Sequence, residues 1–212
     1  MRMIITYHGG QHFKITHGQL TVAIDPSSKE SSVKAVRYGA DVVLVSTWHE
    51  DFNGVDQMAH AGAQPFVIKG PGEYEVGGLF IKGFAAPSQH DGVEHTTIYT
   101  FRVDDIAICF LGALSTEDLS VEAKQAFDEV DILFVPVGGE GSFDAAAAYK
   151  FAVKREPKII VPMGYAGMGE KGALERFLKE ASSDGKKPID KLVMKKKDLP
   201  ANAEVIVLEH DR

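Results

Sequence analysis

Apolar residues fall in short blocks separated by polar or glycine-rich turns. In the first quarter the blocks 3–7, 12–16 and 20–24 predict three strands. His17-Gly18 supplies a tight turn between the second and third, and Asp25-Pro26-Ser27-Ser28 closes the third, since proline cannot continue a ladder. Ser31 or Ser32 is placed to cap a short helix carrying Val33 and Val36 and ending at Gly39. The block 41–46, with Val42-Val43-Leu44-Val45 at its centre, has the unbroken apolar character of a strand buried on both faces.

A polar loop over 47–53 follows, then a short helix over 55–61 and a strand over 66–68. Gly77-Gly78 joins strands over 73–76 and 79–82, and Asp104-Asp105 joins strands over 96–103 and 106–111. From residue 117 the period changes. Helices over 117–129, 143–155 (capped by Ser142) and 171–182 alternate with strands over 130–137 and 159–161, and strands over 192–194 and 205–207 finish the pattern. A β-rich first half followed by this alternation points to sheets covered by helices, an α/β (α+β) class. No Pro-, Gly- or Ser-rich linker divides the chain, so residues 1–212 read as a single domain.

Composition narrows the partners. Of the residues, 44% are hydrophobic, enough for a packed core. The 23 basic against 30 acidic residues leave a net charge of −7, which argues against nucleic acid, whose binding draws on clustered Lys and Arg. Lys195-Lys196-Lys197 is a short solvated rim. No apolar run approaches a membrane span, and the opening residues turn polar at His8, so neither a membrane nor a signal peptide is predicted. The single Cys109 lies in an apolar strand and has no partner for an internal disulfide, so the cytoplasm is the expected compartment.

The loop leaving the buried strand carries the candidate chemistry: Ser46-Thr47-Trp48-His49-Glu50-Asp51-Phe52-Asn53. Together with Gly9-Gly10-Gln11-His12, Ile24-Asp25-Pro26, Gly70-Pro71-Gly72-Glu73-Tyr74-Glu75-Val76-Gly77-Gly78, Leu111-Gly112-Ala113, Val135-Pro136-Val137-Gly138-Gly139 and Val161-Pro162-Met163-Gly164, this loop resembles the metallo-β-lactamase superfamily. The branch it is similar to is the L-ascorbate-6-phosphate lactonase-like metal-dependent hydrolases. The resemblance covers about residues 1–166 in order. It implies a four-layer αββα sandwich with a metal site along one edge of the paired sheets.

The family's loop reads His-x-His-x-Asp-His. His49 matches its second histidine and Asp51 its aspartate, while Thr47 and Phe52 stand at the first and last positions. The bridging aspartate is Ala113 and the final histidine is Gly164; a third-motif histidine is met by His90, with His95 competing. The resemblance therefore implies a hydrolase framework with its dinuclear centre largely lost. The first expectation is a protein without a metal cofactor, catalytically inactive or atypical, serving in binding or assembly. A second copy, another protein or a small molecule would be its partner.

The alternative is one zinc or manganese ion on His49, Asp51 and His90, hydrolysing a lactone, ester or phosphoester, with Asp51 as the candidate catalytic residue. The plainer reading of the same residues is that Asp51 accepts loop hydrogen bonds and His49 fills space beside it. A pocket bounded by Thr47, Trp48, Phe52, Ala113, Gly164 and Tyr165 is expected at the strand ends.

Overall fold

A computed structural model describes residues 1–127 and 129–210; Asp128, Asp211 and Arg212 lie outside the described residues. In chain order the strands are β1 (Met3–Tyr7), β2 (Phe13–His17), β3 (Leu20–Ile24), β4 (Val42–Leu44), β5 (Phe66–Ile68), β6 (Gly72–Val76) and β7 (Leu79–His90). After them come β8 (Val93–Val103), β9 (Ile106–Phe110), β10 (Ile132–Pro136), β11 (Ile159–Met163), β12 (Leu192–Met194) and β13 (Glu204–Val205). The α-helices are α1 (Val121–Lys124), α2 (Ala145–Val153) and α3 (Ala173–Glu180).

Two mixed sheets result. One has the order β12-β1-β2-β3-β4-β5 and the other β13-β11-β10-β9-β8-β7-β6. Strands β3, β4 and β5 run parallel, as do β13, β11, β10 and β9, and the remaining pairs are antiparallel. Period-two alternation sorts the residues of β3 and β4 between two clusters. Val22, Ile24, Val42 and Leu44 join the main core, while Ala23 and Val43 turn to the opposite face with Val45 and Met58. The inner faces meet through aromatic rings: Phe13 of β2 lies 4.7 Å from Phe134 of β10 and 6.3 Å from Phe110 of β9, centroid to centroid. This is an α/β sandwich of the expected αββα class, with α2 packed on β10 and on α3.

The layer over the first sheet differs from expectation. Residues 33–40 form no helix; Tyr38 and Ala40 and a 3₁₀ turn at Val55–Met58 cover Val43 and Val45. The serine read as a cap is committed elsewhere, since the Ser31 hydroxyl accepts from the Val33 N–H and donates to Asp51. The predicted helix over 117–129 shrinks to α1 with a 3₁₀ turn at Gln125–Phe127, because residues 116–119 are tied in local turns by Asp118 N–H to Thr116 Oγ1 and Leu119 N–H to the Glu117 carbonyl. Asp144, rather than Ser142, caps α2, its Oδ1 accepting from Ala147 N–H at 2.8 Å. The segment 83–95, left without strands by its pattern, completes a long β7–β8 hairpin turning at Asp91-Gly92, whose φ values are +44° and +80°.

The loop after β4 is anchored from β3. Asp25, wholly buried, takes the Ser46 N–H on Oδ1 at 2.6 Å and the Ser46 hydroxyl on Oδ2 at 2.5 Å. Its own N–H donates to the Leu44 carbonyl at 2.8 Å. Burial pushes the Asp25 carboxyl up to about 8, and the bonds from Ser46 offset this only in part.

Two outcomes follow from this packing. Replacing Phe13, fully buried between the sheets, in Phe13→Ala should cost about 3–5 kcal/mol in urea denaturation, the usual range for removing a core aromatic. The raised Asp25 value means that the folded chain keeps a proton that an unfolded chain releases near pH 3.8. Its stabilising contribution is therefore fully present below that pH, declines as pH rises, and is lost above about 8. Stability measured from pH 5 to 9 should fall more steeply for the natural chain than for Asp25→Asn, and equal slopes would contradict the assignment.

Candidate metal centre

The loop leaving β4 turns back on itself twice, through His49 N–H to the Thr47 carbonyl and Phe52 N–H to the His49 carbonyl, both at 2.9 Å. This brings His49 and Asp51 onto one side. The β7–β8 hairpin approaches from the second sheet, held by Thr97 N–H to the Ser46 carbonyl at 2.8 Å and Gln89 N–H to the Gly141 carbonyl at 2.9 Å. His90, the last residue of β7, reaches the loop there. His95 lies on β8 opposite Pro87 and is exposed, so His90 is the histidine that joins the site.

His49, Asp51 and His90 offer donor atoms that all lie within 4.8 Å of one another. Asp51 Oδ2 is 3.0 Å from His90 Nε2 and 3.4 Å from His49 Nδ1. Ligands around a tetrahedral zinc ion stand about 3.4 Å apart, given bonds of roughly 2.1 Å, and the two separations from Asp51 lie close to that value. Two imidazoles with one carboxylate are also donor types that catalytic zinc sites use, with a fourth position left for water. Partial exposure of all three side chains, 18% for His49 and 14% for Asp51 and His90, leaves such a position reachable. Burial works against ionisation of Asp51, yet the hydrogen bonds from His90 and Ser31 and the neighbouring imidazoles outweigh it and hold the carboxyl below its ordinary range.

The positions that lack ligands are filled by other interactions. Thr47 donates its hydroxyl to Thr96 Oγ1 at 2.9 Å, Ala113 N–H donates to the same oxygen at 3.1 Å, and Thr96 donates to the Ser46 carbonyl at 3.4 Å. Gly112 turns with φ +59°, and a Cβ there would collide with Thr96 Oγ1 and lie 2.8 Å from the Ser46 side chain. Phe52 is fully buried and its ring stands 4.8 Å from that of His90, which in turn is 5.0 Å from His49. At Gly164, the amide nitrogen of buried Gln11 lies 3.7 Å from where a Cβ would stand. Hydroxyls, an apolar ring and an amide thus occupy ground where the family carries ligands.

The other sequence-predicted residues differ in burial. Thr47, Phe52, Ala113 and Gly164 are buried, whereas Trp48 is 61% exposed with Lys69 Nζ 4.8 Å from its ring. Tyr165 packs beside Tyr7 at 5.5 Å and donates its hydroxyl to the Leu208 carbonyl. His12 is buried and bonded through Nε2 to the Tyr38 hydroxyl at 2.8 Å, and its ring lies tilted against that of His8 at 4.8 Å. Two residues at the centre escaped sequence reasoning. Ser31 lies far from Asp51 along the chain and looked like a helix cap; Asp91, at the hairpin tip, accepts from His49 Nε2 at 3.2 Å and carried no local signature.

Comparison with known proteins agrees with this geometry. Residues 4–164 match the family model described as the beta-lactamase superfamily domain. A UPF0173 metal-dependent hydrolase of Listeria monocytogenes is 25% identical over 199 aligned residues, covering 77% of this chain and 85% of that protein. A Thermotoga maritima structure of the metallo-beta-lactamase superfamily is 28% identical with a TM-score of 0.77, covering 99% of this chain and all of the other. A metallo hydrolase from Ignicoccus hospitalis shares the fold at 17% identity and a TM-score of 0.65, covering 92% of this chain and 99% of its own.

These relatives and the converging His-Asp-His set lend no support to the expectation of a chain without a metal cofactor. Among the described residues no helix is long and apolar enough to cross a membrane. Matched over residues 4–164, with the loop after β4 and the β7–β8 hairpin meeting at the edge of two stacked sheets, the chain belongs to the beta-lactamase superfamily of metal-dependent hydrolase folds.

Proposed function

We propose that the chain binds a single divalent cation, zinc or manganese, through His49, Asp51 and His90, and hydrolyses a lactone, ester or phosphoester. The observation that carries this reading is the convergence of the three donors within 4.8 Å, although they come from two separate segments. A bound cation of this kind supplies hydroxide at neutral pH and polarises the group under attack. The chain's own residues set the conditions. Asp51 stays ionised, Phe52 covers one side of His90 and keeps water from it, and the open side of the three donors admits substrate. With Thr47, Ala113 and Gly164 contributing no side-chain ligand, a second ion has no comparable donor set, which separates this reading from two-metal hydrolysis.

A second reading has its own observation in support. Asp51 is already bonded by His90 and by Ser31, so the three residues satisfy one another without a cation. The loop and hairpin would then be locked together by hydrogen bonds alone, and the family framework would serve to bind a small molecule, another protein or a second copy of the chain.

Calorimetric titration with zinc and with manganese separates the two. The single-metal reading expects one ion per chain, with His90→Ala weakening binding by more than the ~10–100-fold typical of losing an outer hydrogen-bond partner. Uptake of no ion favours the second reading, and equal uptake by His90→Ala overturns His90 as a ligand. Hydrolysis of a panel of lactones, esters and phosphoesters should disappear with chelator and return with the ion that binds best; turnover indifferent to chelator would count against a metal-dependent reaction.

A further inference from the structure

We propose that Ser31 and Asp91 are positioning residues that select which atoms of Asp51 and His49 face a bound cation. The proposal rests on the single-metal reading above.

A carboxylate offers two oxygens and an imidazole two nitrogens, so a ligand set is ambiguous until outer partners decide between them. At Asp51 the decision falls to Ser31. Its hydroxyl has one proton, and its oxygen already accepts the Val33 N–H at 3.0 Å. The proton is left to point at Asp51 Oδ1, with which Ser31 makes a short hydrogen bond. Oδ1 is thereby occupied, and Oδ2 is the oxygen that faces both His90 Nε2 at 3.0 Å and His49 Nδ1 at 3.4 Å.

At His49 the decision falls to Asp91. Its Oδ2, on a side chain 78% exposed, stands 3.2 Å from His49 Nε2; an ionised carboxylate there can only accept, which favours the proton on Nε2 and leaves the Nδ1 lone pair on the side of Asp51. Nδ1 accepts the Asp51 N–H at 3.3 Å, a long bond that a cation would replace. Both positioning groups sit on segments that are themselves fixed. Ser31 belongs to a stretch tied down by Ser28 N–H to the Glu50 carbonyl at 2.9 Å and by Ser32 Oγ to the Gly167 carbonyl at 3.3 Å. Asp91 occupies the hairpin turn with φ +44°, a conformation that Asp and Asn adopt more readily than other side chains.

Cobalt(II) is the probe, because its visible absorption reports the ligand atoms and their geometry as well as occupancy. Titrated into the natural chain, it should bind at one ion per chain. Ser31→Ala should bind it about 10–100-fold more weakly and give an altered visible spectrum at saturation, while Ser31→Thr, which keeps the hydroxyl, restores both. Asp91→Gly, compatible with the positive φ, should weaken binding in the same range, and Asp91→Asn, which keeps a carbonyl acceptor, should recover most of it.

Circular dichroism of the metal-free variants checks that each is folded; for a variant that is not, the threonine or asparagine partner is compared directly with the natural chain, and a changed spectrum there overturns the assignment. Affinity and spectrum unchanged in both Ser31→Ala and Asp91→Gly overturn the positioning roles and leave the single-metal reading standing. A natural chain that takes up no cobalt, zinc or manganese overturns that reading and this one with it.

Discussion

Asp25 is the constraint from which the site is built. A carboxyl with no exposed surface is tolerable in a protein interior only when its oxygens are matched, and here one residue, Ser46, supplies both a backbone and a side-chain donor. The match fixes the first residues beyond β4 relative to the end of β3. Every later group in the loop inherits its position from that joint, since Thr97 N–H bonds the Ser46 carbonyl and so registers the β7–β8 hairpin of the opposite sheet on the same point. One buried carboxyl thus brings together side chains that are about 40 residues apart in sequence, His49 and Asp51 on one side and His90 on the other.

The replacements at the family's ligand positions are coherent with one another. Thr47 and Ala113 are linked through a single oxygen, Thr96 Oγ1, which takes a proton from each and gives its own to Ser46. Such a closed exchange gives the Thr47 and Thr96 hydroxyls their partners, the condition on which polar groups are stable inside a protein. Phe52 lies against His90, so an apolar contact restrains the imidazole from one side. The edge is divided: one part is an ordinary polar interior, and the other holds two imidazoles and a carboxylate facing one another.

Much of the fold was legible because it depends on period. Blocks such as Val42–Leu44 and Ile132–Pro136 are buried on both faces and read as strands without further information. Elements whose boundaries depend on hydrogen bonds made elsewhere were not. Ser31 looked like a helix cap because nothing nearby in sequence reveals that its hydroxyl is used by Asp51. The hairpin arm from 83 to 90 was missed because its burial pattern is irregular, with Gly83 and Phe84 both half-buried and Ala85 exposed. For the site, the ligand motif picked out His49 and Asp51 with His90 and His95 as alternatives, and choosing between the two required knowing which end of the hairpin meets the loop. Trp48 was expected in a pocket wall, yet an aromatic next to a ligand is free to turn outward when a cation such as Lys69 covers its face.

The same division explains how a framework keeps its fold when four of the family's seven ligand positions hold Thr47, Phe52, Ala113 and Gly164. The rings that join the sheets, Phe13 with Phe110 and Phe134, lie within the shared apolar core. Burial of that core drives folding whether or not a cation is present. Small structural metal domains differ, because there metal binding supplies the folding free energy. Here the sheets carry the stability, so residues at the edge can change as long as each newcomer finds a partner. Thr47, Phe52 and Ala113 each do so, through a hydroxyl, an imidazole face and a backbone N–H, and the three donors that remain are those whose geometry the loop and hairpin still hold in common.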